Sequence, residues 1–324
     1  MKNANKNTAG PFQRPFNKTV FFSYTAIVLV VFVWGLSPHI TSYILQYYSS
    51  GLYSATGALL SGIALLFLCF PILGKLDKRH LKIAVPTGFF NALANLLQKI
   101  GLQYTTPTQY AFLENLSCVV VPILLYLFVR KKPGVMTVSA SALCLFGCFV
   151  LSGMHFSGGM AMGKGELLCA LAGFFYGVNI AATGAFAKDM HASLYVLVQT
   201  WVTILVSFGG AIILSSVKIN GAVLEPLRFS WNPFHLLLVA VLALFVSTLC
   251  WIIRTNAMKH VSASVVAIMM PFSSVITGIL SVLMGKDALT STLLIGGGLI
   301  FLAAILSGLD DILIDRRQKK SSIQ

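Results

Sequence analysis

The sequence predicts an all-α polytopic membrane protein with ten transmembrane helices in two inverted five-helix repeats. Three observations lead there. Of its 324 residues 57% are hydrophobic and 10% charged, with a mean hydropathy of +0.85, which leaves too little polar surface to coat a soluble globule. Apolar runs of roughly 18 to 25 residues, each able to cross ~30 Å of hydrocarbon as a helix, recur ten times: 19–38, 52–73, 83–103, 108–129, 135–153, 165–187, 192–215, 234–256, 261–284 and 289–309. The two halves of the chain also match each other in order, as repeats do.

Charge placement sets the orientation. The net charge of +14 sits in short connections and tails rather than along one face, so no nucleic-acid partner is expected. With the N-terminus inside, seventeen Lys and Arg fall on inner segments and four on outer ones, which places both termini in the cytoplasm and the chain in the cell (inner) membrane as a multi-pass protein. Residues 1–18 form a cytoplasmic tail, 19–153 the first repeat, 154–164 an external linker, 165–309 the second repeat and 310–324 a cytoplasmic tail. The first run spans and ends at no small-residue cleavage site, so it reads as a retained helix and not a signal peptide.

In the first repeat, the run 19–38 closes on Trp34-Gly35, and the apolar run 52–73 follows. The run 83–103 carries Asn91, Asn95 and Gln98 at i, i+4 and i+7, hence on one helical face, with Lys99 beside them. In 108–129 the stretch "AFLENLSCVVVP" puts Tyr110, Glu114 and Ser117 on one face in the same way. Glu114 is the only acid well inside a run. An ionisable group at such depth is a functional hypothesis by default: a carboxyl exchanging a proton and meeting the substrate, or else one held in a structural ion pair. At 1.5 Å per residue, Lys99 lies roughly 8 Å and Glu114 roughly 11 Å below the turn they share, with Arg254 about 8 Å from the opposite turn. Lys99 is therefore the expected partner of Glu114, and Arg254 the guard of the other mouth. The run 135–153 completes the repeat.

The linker stretch "GGMAMGKG" (158–165) resembles a phosphate-binding loop, but Gly165 stands where Ser or Thr is needed and no strand precedes it. In the second repeat, 165–187 carries Asn179; 192–215 follows; 234–256 carries Trp251 and Arg254; 261–284 carries Pro271. The last run, 289–309, holds Gly296 to Gly298, Ala303 and Ser307, small residues suited to close helix contact within the chain or across a homodimer face. Pro122 and Pro271 are expected to bend their helices.

A shift of 142 sets "WGLS" (34–37) over "YGVN" (176–179). A shift of 156 sets Asn91, Asn95 and Gln98 over Ser247, Trp251 and Arg254, and Glu114 over Met270. Five is odd, so the second repeat enters the membrane from the opposite side. Secondary transporters use that arrangement around a midplane site. The amides either bind ligand or join helices, at roughly 0.6 kcal/mol each; Trp34 and Trp251 either stack on a ligand or cation or pack. The six Cys fall inside runs without CxxC spacing and the six His lack ligand spacing, so no metal and no cofactor is expected. Nothing forms a nucleophile–base constellation, which argues against an enzyme.

Trp34-Gly35, the stretch "GLQYTTPTQYAFLENLSCVVVPIL" and its counterpart around Ala257 and Pro271 resemble the EamA-type transporters of the drug/metabolite transporter superfamily. That resemblance covers essentially the whole chain. It implies a central cavity lined by helices 1 to 4 and 6 to 9, with helices 5 and 10 as scaffold, and a small-molecule substrate, an amino acid or relative, exported by alternating access. Met270 opposite Glu114 confines any carboxylate role, including proton coupling with Lys99, to one half. Proton-coupled uptake is the alternative, and an integral-membrane enzyme the more distant one.

Overall fold

The computed structural model describes residues 18–105, 110, 113–130, 133–151, 163–219, 222–285 and 288–321. Helix dominates it. In chain order the rods are α1 (Lys18–Ile44), α2 (Ser50–Cys69, running on as a tighter 3-10 turn over Phe70–Lys75), α3 (Lys78–Leu102), α4 (Ser117–Val129) and α5 (Val135–Leu151). Then come α6 (Lys164–Phe186), α7 (Ala192–Ser216), α8 (Pro233–Ala257), α9 (Ala263–Leu283) and α10 (Ser291–Ser321). Seven of them, α1, α2 and α6 to α10, are long and apolar enough to cross a membrane; α4 and α5 are shorter apolar helices. Apolar side chains such as Phe67 (78% exposed) and Leu205 (72%) point outward, as lipid-facing residues do and as those of a soluble protein rarely do.

Local chemistry fixes where the rods start and break. Asp77 caps α3, its carboxylate accepting from the His80 N–H at 2.8 Å; Asn232 caps α8 by accepting from the Phe234 N–H at 2.9 Å, with Pro233 in the first turn. Pro38 lies inside α1, which continues to Ile44 beyond the expected end at 38; a single proline removes only one backbone bond. Two rods are discontinuous. In α9 a turn at Met270-Pro271 separates Ala263–Met269 from Phe272–Leu283. Ahead of α4, Leu113 and Glu114 are helical, Asn115 and Leu116 form a turn, and the helix restarts at Ser117. Pro122 lies within the restarted helix, not at the break. In α8 the middle, Leu242–Leu249, is wound as a π-helix. The helix α10 continues past 309 to Ser321.

Helix contacts come in pairs related by exchanging the halves. Helix α1 packs on α9 and α6 on α4; α3 packs on α7 and α2 on the π-wound part of α8; α3 meets α6 and α1 meets α8. Glycines make one such pair. A Cβ on Gly35 would lie 2.6 Å from Ile276 Cβ, and one on Gly177 would lie 2.7 Å from Val120 Cγ1. Gly35 and Gly177 are matched by the shift of 142, and Val120 and Ile276 by the shift of 156. The same contact is thus built twice. Helices α5 and α10 lie against each other, and a Cβ on Gly296 would meet the Gly147 carbonyl oxygen at 2.7 Å.

The described residues of the connection 216–233 hold more order than a loop. Strands β1 (Lys218–Ile219) and β2 (Ala222–Val223) pair antiparallel. Buried Glu225 then accepts from the Ser50 N–H at 2.7 Å and from Gln103 Nε2 at 2.9 Å. A carboxylate at the N-terminus of α2 satisfies an otherwise orphan donor. It ties this second-half connection to the first half.

Candidate functional site

Between the halves lies a cavity holding about 1070 Å³ of empty space, its open mouth included. Nine of the residues singled out from the sequence line it: Trp34 of α1; Asn95, Gln98 and Lys99 of α3; Tyr110, Glu114 and Ser117; and Trp251 and Arg254 of α8. Asn91 is absent from its wall. It lines an adjoining space that shares Asn95, Lys99 and Trp251. Asn179 is fully buried behind the wall, donating to the Thr87 carbonyl at 3.1 Å and accepting from Arg254 Nη2 at 3.0 Å.

The first-half wall is a hydrogen-bonded mesh. The Glu114 carboxylate is held by the Tyr110 hydroxyl and the Gln98 amide; Gln98 Nε2 also donates to Tyr110, and Gln98 Oε1 accepts from the Tyr176 hydroxyl at 2.9 Å. Lys99 Nζ donates to Asn95 Oδ1 and stands 5.0 Å over the Tyr53 ring, while Asn95 Nδ2 donates to Tyr176 at 3.4 Å. The expected Lys99–Glu114 bridge is not a direct one: among the described residues, the ion pairs within 4.0 Å are Arg79–Asp189 and His80–Asp77. Lys99 reaches Asn95, one helical turn back on its own face, instead.

Aromatic faces and one cation form the other wall. The Arg254 guanidinium stacks 3.9 Å from the Trp251 ring and 5.7 Å from Trp34; the two indoles are 5.6 Å apart. Trp34 Nε1 donates to the Val246 carbonyl in the π-wound part of α8 at 3.3 Å. Arg254 does not stand at a mouth, as the rise along α8 suggested. It is 1% exposed, folded inward onto Trp251 one turn earlier.

Sequence reasoning missed Tyr53, Tyr176, Asn115 and Thr277, all on the cavity wall. Asn115 Nδ2 donates to Ser274 Oγ at 2.6 Å, joining the two broken rods, and the Thr277 hydroxyl donates to the Gly35 carbonyl at 2.8 Å. For Tyr176 a signal existed: the shift of 142 places it on Trp34. Asn115 gave none, because the run 108–129 reads as one continuous helix.

Fold and cavity together define a multi-pass membrane protein with a polar, charged chamber between two repeated halves. Both halves, residues 21–153 and 163–309, match the EamA-like transporter family. The chain belongs to that family, in keeping with the drug/metabolite transporter superfamily. An uncharacterized transporter of Archaeoglobus fulgidus is 23% identical over 283 residues, 87% of this chain and 84% of that one. A solved crystal structure superposes with a TM-score of 0.68 at 16% identity, covering 92% of this chain and 98% of that one; at such identity the likeness is one of fold.

Proposed function

We propose that this chain is a secondary transporter that moves a small polar or amphipathic metabolite, an amino acid or related compound, by alternating access with export as its working direction. In this reading all ten rods cross the bilayer, in two repeats of opposite orientation, with both termini cytoplasmic. The observation that carries it is the position of the chamber: it lies at the breaks of α4 and α9, with Glu114, Asn115 and Met270 on its wall. Discontinuous helices at a repeat interface expose backbone and side-chain polarity to a substrate at membrane depth, where continuous helices would hide it.

Within it, Asn95, Gln98, Tyr110 and Ser117 supply hydrogen bonds, Trp34 and Trp251 supply flat apolar faces, and Arg254 supplies charge. Glu114 is the coupling group. It exchanges a proton, and Lys99 stands close enough to feel its charge. The test is flux in reconstituted vesicles carrying an imposed pH gradient. The Glu114→Gln variant is expected to fold, as judged by monodispersity, and to lose transport together with its pH dependence. Unchanged pH-dependent flux in that variant would remove Glu114 from the mechanism, and net movement into right-side-out vesicles would make uptake the working direction.

A further inference from the structure

The charges facing the chamber do not cancel. Glu114 and Lys99 lie within electrostatic reach of each other and offset as a pair. Among the described residues Arg254 has no such counterpart. Its guanidinium touches the Asn179 side-chain oxygen and two indole faces. Its Nε, buried, has no hydrogen-bond partner among the described residues. Among the described residues no carboxylate lies within 4.0 Å of it. A buried cation left this way is costly, and it strongly favours whatever brings the missing negative charge.

We infer that the chamber selects an organic monoanion, whose carboxylate takes the place of the missing counter-ion at Arg254 and whose flat apolar body lies along Ile180, Leu242, Val246 and Met270. All five residues line the same space. A guanidinium offers a carboxylate two parallel donors. A ligand ammonium finds the opposite situation: Glu114, the one acid among the described residues of the wall, already accepts from Tyr110 and Gln98, and the charges of those residues sum to a positive one. This assignment rests on the transporter reading above and narrows its substrate, from an amino acid or related compound to a related carboxylate without the ammonium group.

A series with one body and four patterns of charge tests it on the purified full-length chain. Thermal midpoints are measured with indole-3-acetate (anion), tryptophan (zwitterion), tryptamine (cation) and indole (neutral). Indole-3-acetate is expected to raise the midpoint most, tryptophan less, and tryptamine and indole not at all. Arg254→Gln should abolish the indole-3-acetate shift, whereas Arg254→Lys should keep a smaller one with the same charge order. Equal or larger shifts with tryptamine or indole, no shift with any of the four, or an Arg254→Gln variant that still responds to indole-3-acetate, would overturn the proposal. The series on the unaltered chain decides the question even where a variant folds poorly. A cation-preferring result refutes only the charge assignment; the transporter reading falls separately, on absence of flux in vesicles.

Discussion

The two walls of the chamber come from stretches that the repeat makes equivalent, yet they differ in chemistry. Where the first half has Asn95, Gln98 and Glu114, the second has Trp251, Arg254 and Met270. The helices that carry them keep their exchanged contacts, down to Gly35 on Ile276 and Gly177 on Val120. Duplication therefore preserved the frame and let the lining diverge: amides and a carboxylate have an indole, a guanidinium and a thioether as their counterparts. A symmetric lining would offer a ligand two identical sites. This one offers a single site with a polar end and an aromatic, cationic end.

Exchanging the acid between walls should have the largest effect. Glu114→Met is expected to reduce flux to background, and adding Met270→Glu should not restore it. The residues holding the carboxylate, Gln98 and Tyr110, have Arg254 and Val266 as their counterparts, so the second wall has no matching pair of neutral donors. Transport by the double variant would show that the walls are interchangeable.

The glycine pair tests the preserved frame. Gly35→Ala forces a Cβ within 2.9 Å of the Ser273 carbonyl oxygen and against Ile276, whereas Gly177→Ala meets chiefly the Val120 side chain. Each should lower stability by about 1–3 kcal/mol, Gly35→Ala more, because backbone yields less readily than a side chain. Thermal midpoints without ligand read this directly, and an unchanged midpoint in either variant would break the claimed equivalence.

The smallest effect concerns the helix starts. Asp77 and Asn232 cap the equivalent helices α3 and α8, one with a titratable group and one without. The His80 backbone N–H, then the His80 side chain, hold the Asp77 carboxyl below its ordinary 3.8. Because the folded state depresses that value, the cap's contribution is present above the unfolded value and lost as pH falls through the folded one. Hydrogen exchange at the first turn of α3 should therefore speed up in acid relative to the first turn of α8, beyond the intrinsic pH effect common to both. Asp77→Asn should remove the difference.

The rods were legible because length and apolarity alone specify a spanning helix. The face each rod turns inward was legible only where a polar residue marked it, as at Asn91, Asn95 and Gln98. Elsewhere lipid-facing and core-facing positions are equally apolar, so periodicity carries no contrast; fully buried Ile27 and 53% exposed Val28 are adjacent and alike in character. The breaks were half-legible. Pro271 sits at one, but the other falls at Asn115-Leu116, upstream of Pro122. The inward turn of Arg254 rests partly on Trp251 one turn earlier on its own helix and partly on Trp34 and Asn179 from other helices, and only the first of these is a local pattern.

The exchanged contacts also set an order of events during synthesis. In α1, His39 Nε2 meets the Thr277 carbonyl at 3.1 Å, a partner 238 residues later in the chain. At roughly 5–20 residues per second, the ribosome needs about 12 to 48 s to make it. Until then the face of α1 that α9 will cover must wait in lipid or against a temporary neighbour. The first half leaves the translocon as an unfinished surface, and the chamber closes only once the ninth helix arrives.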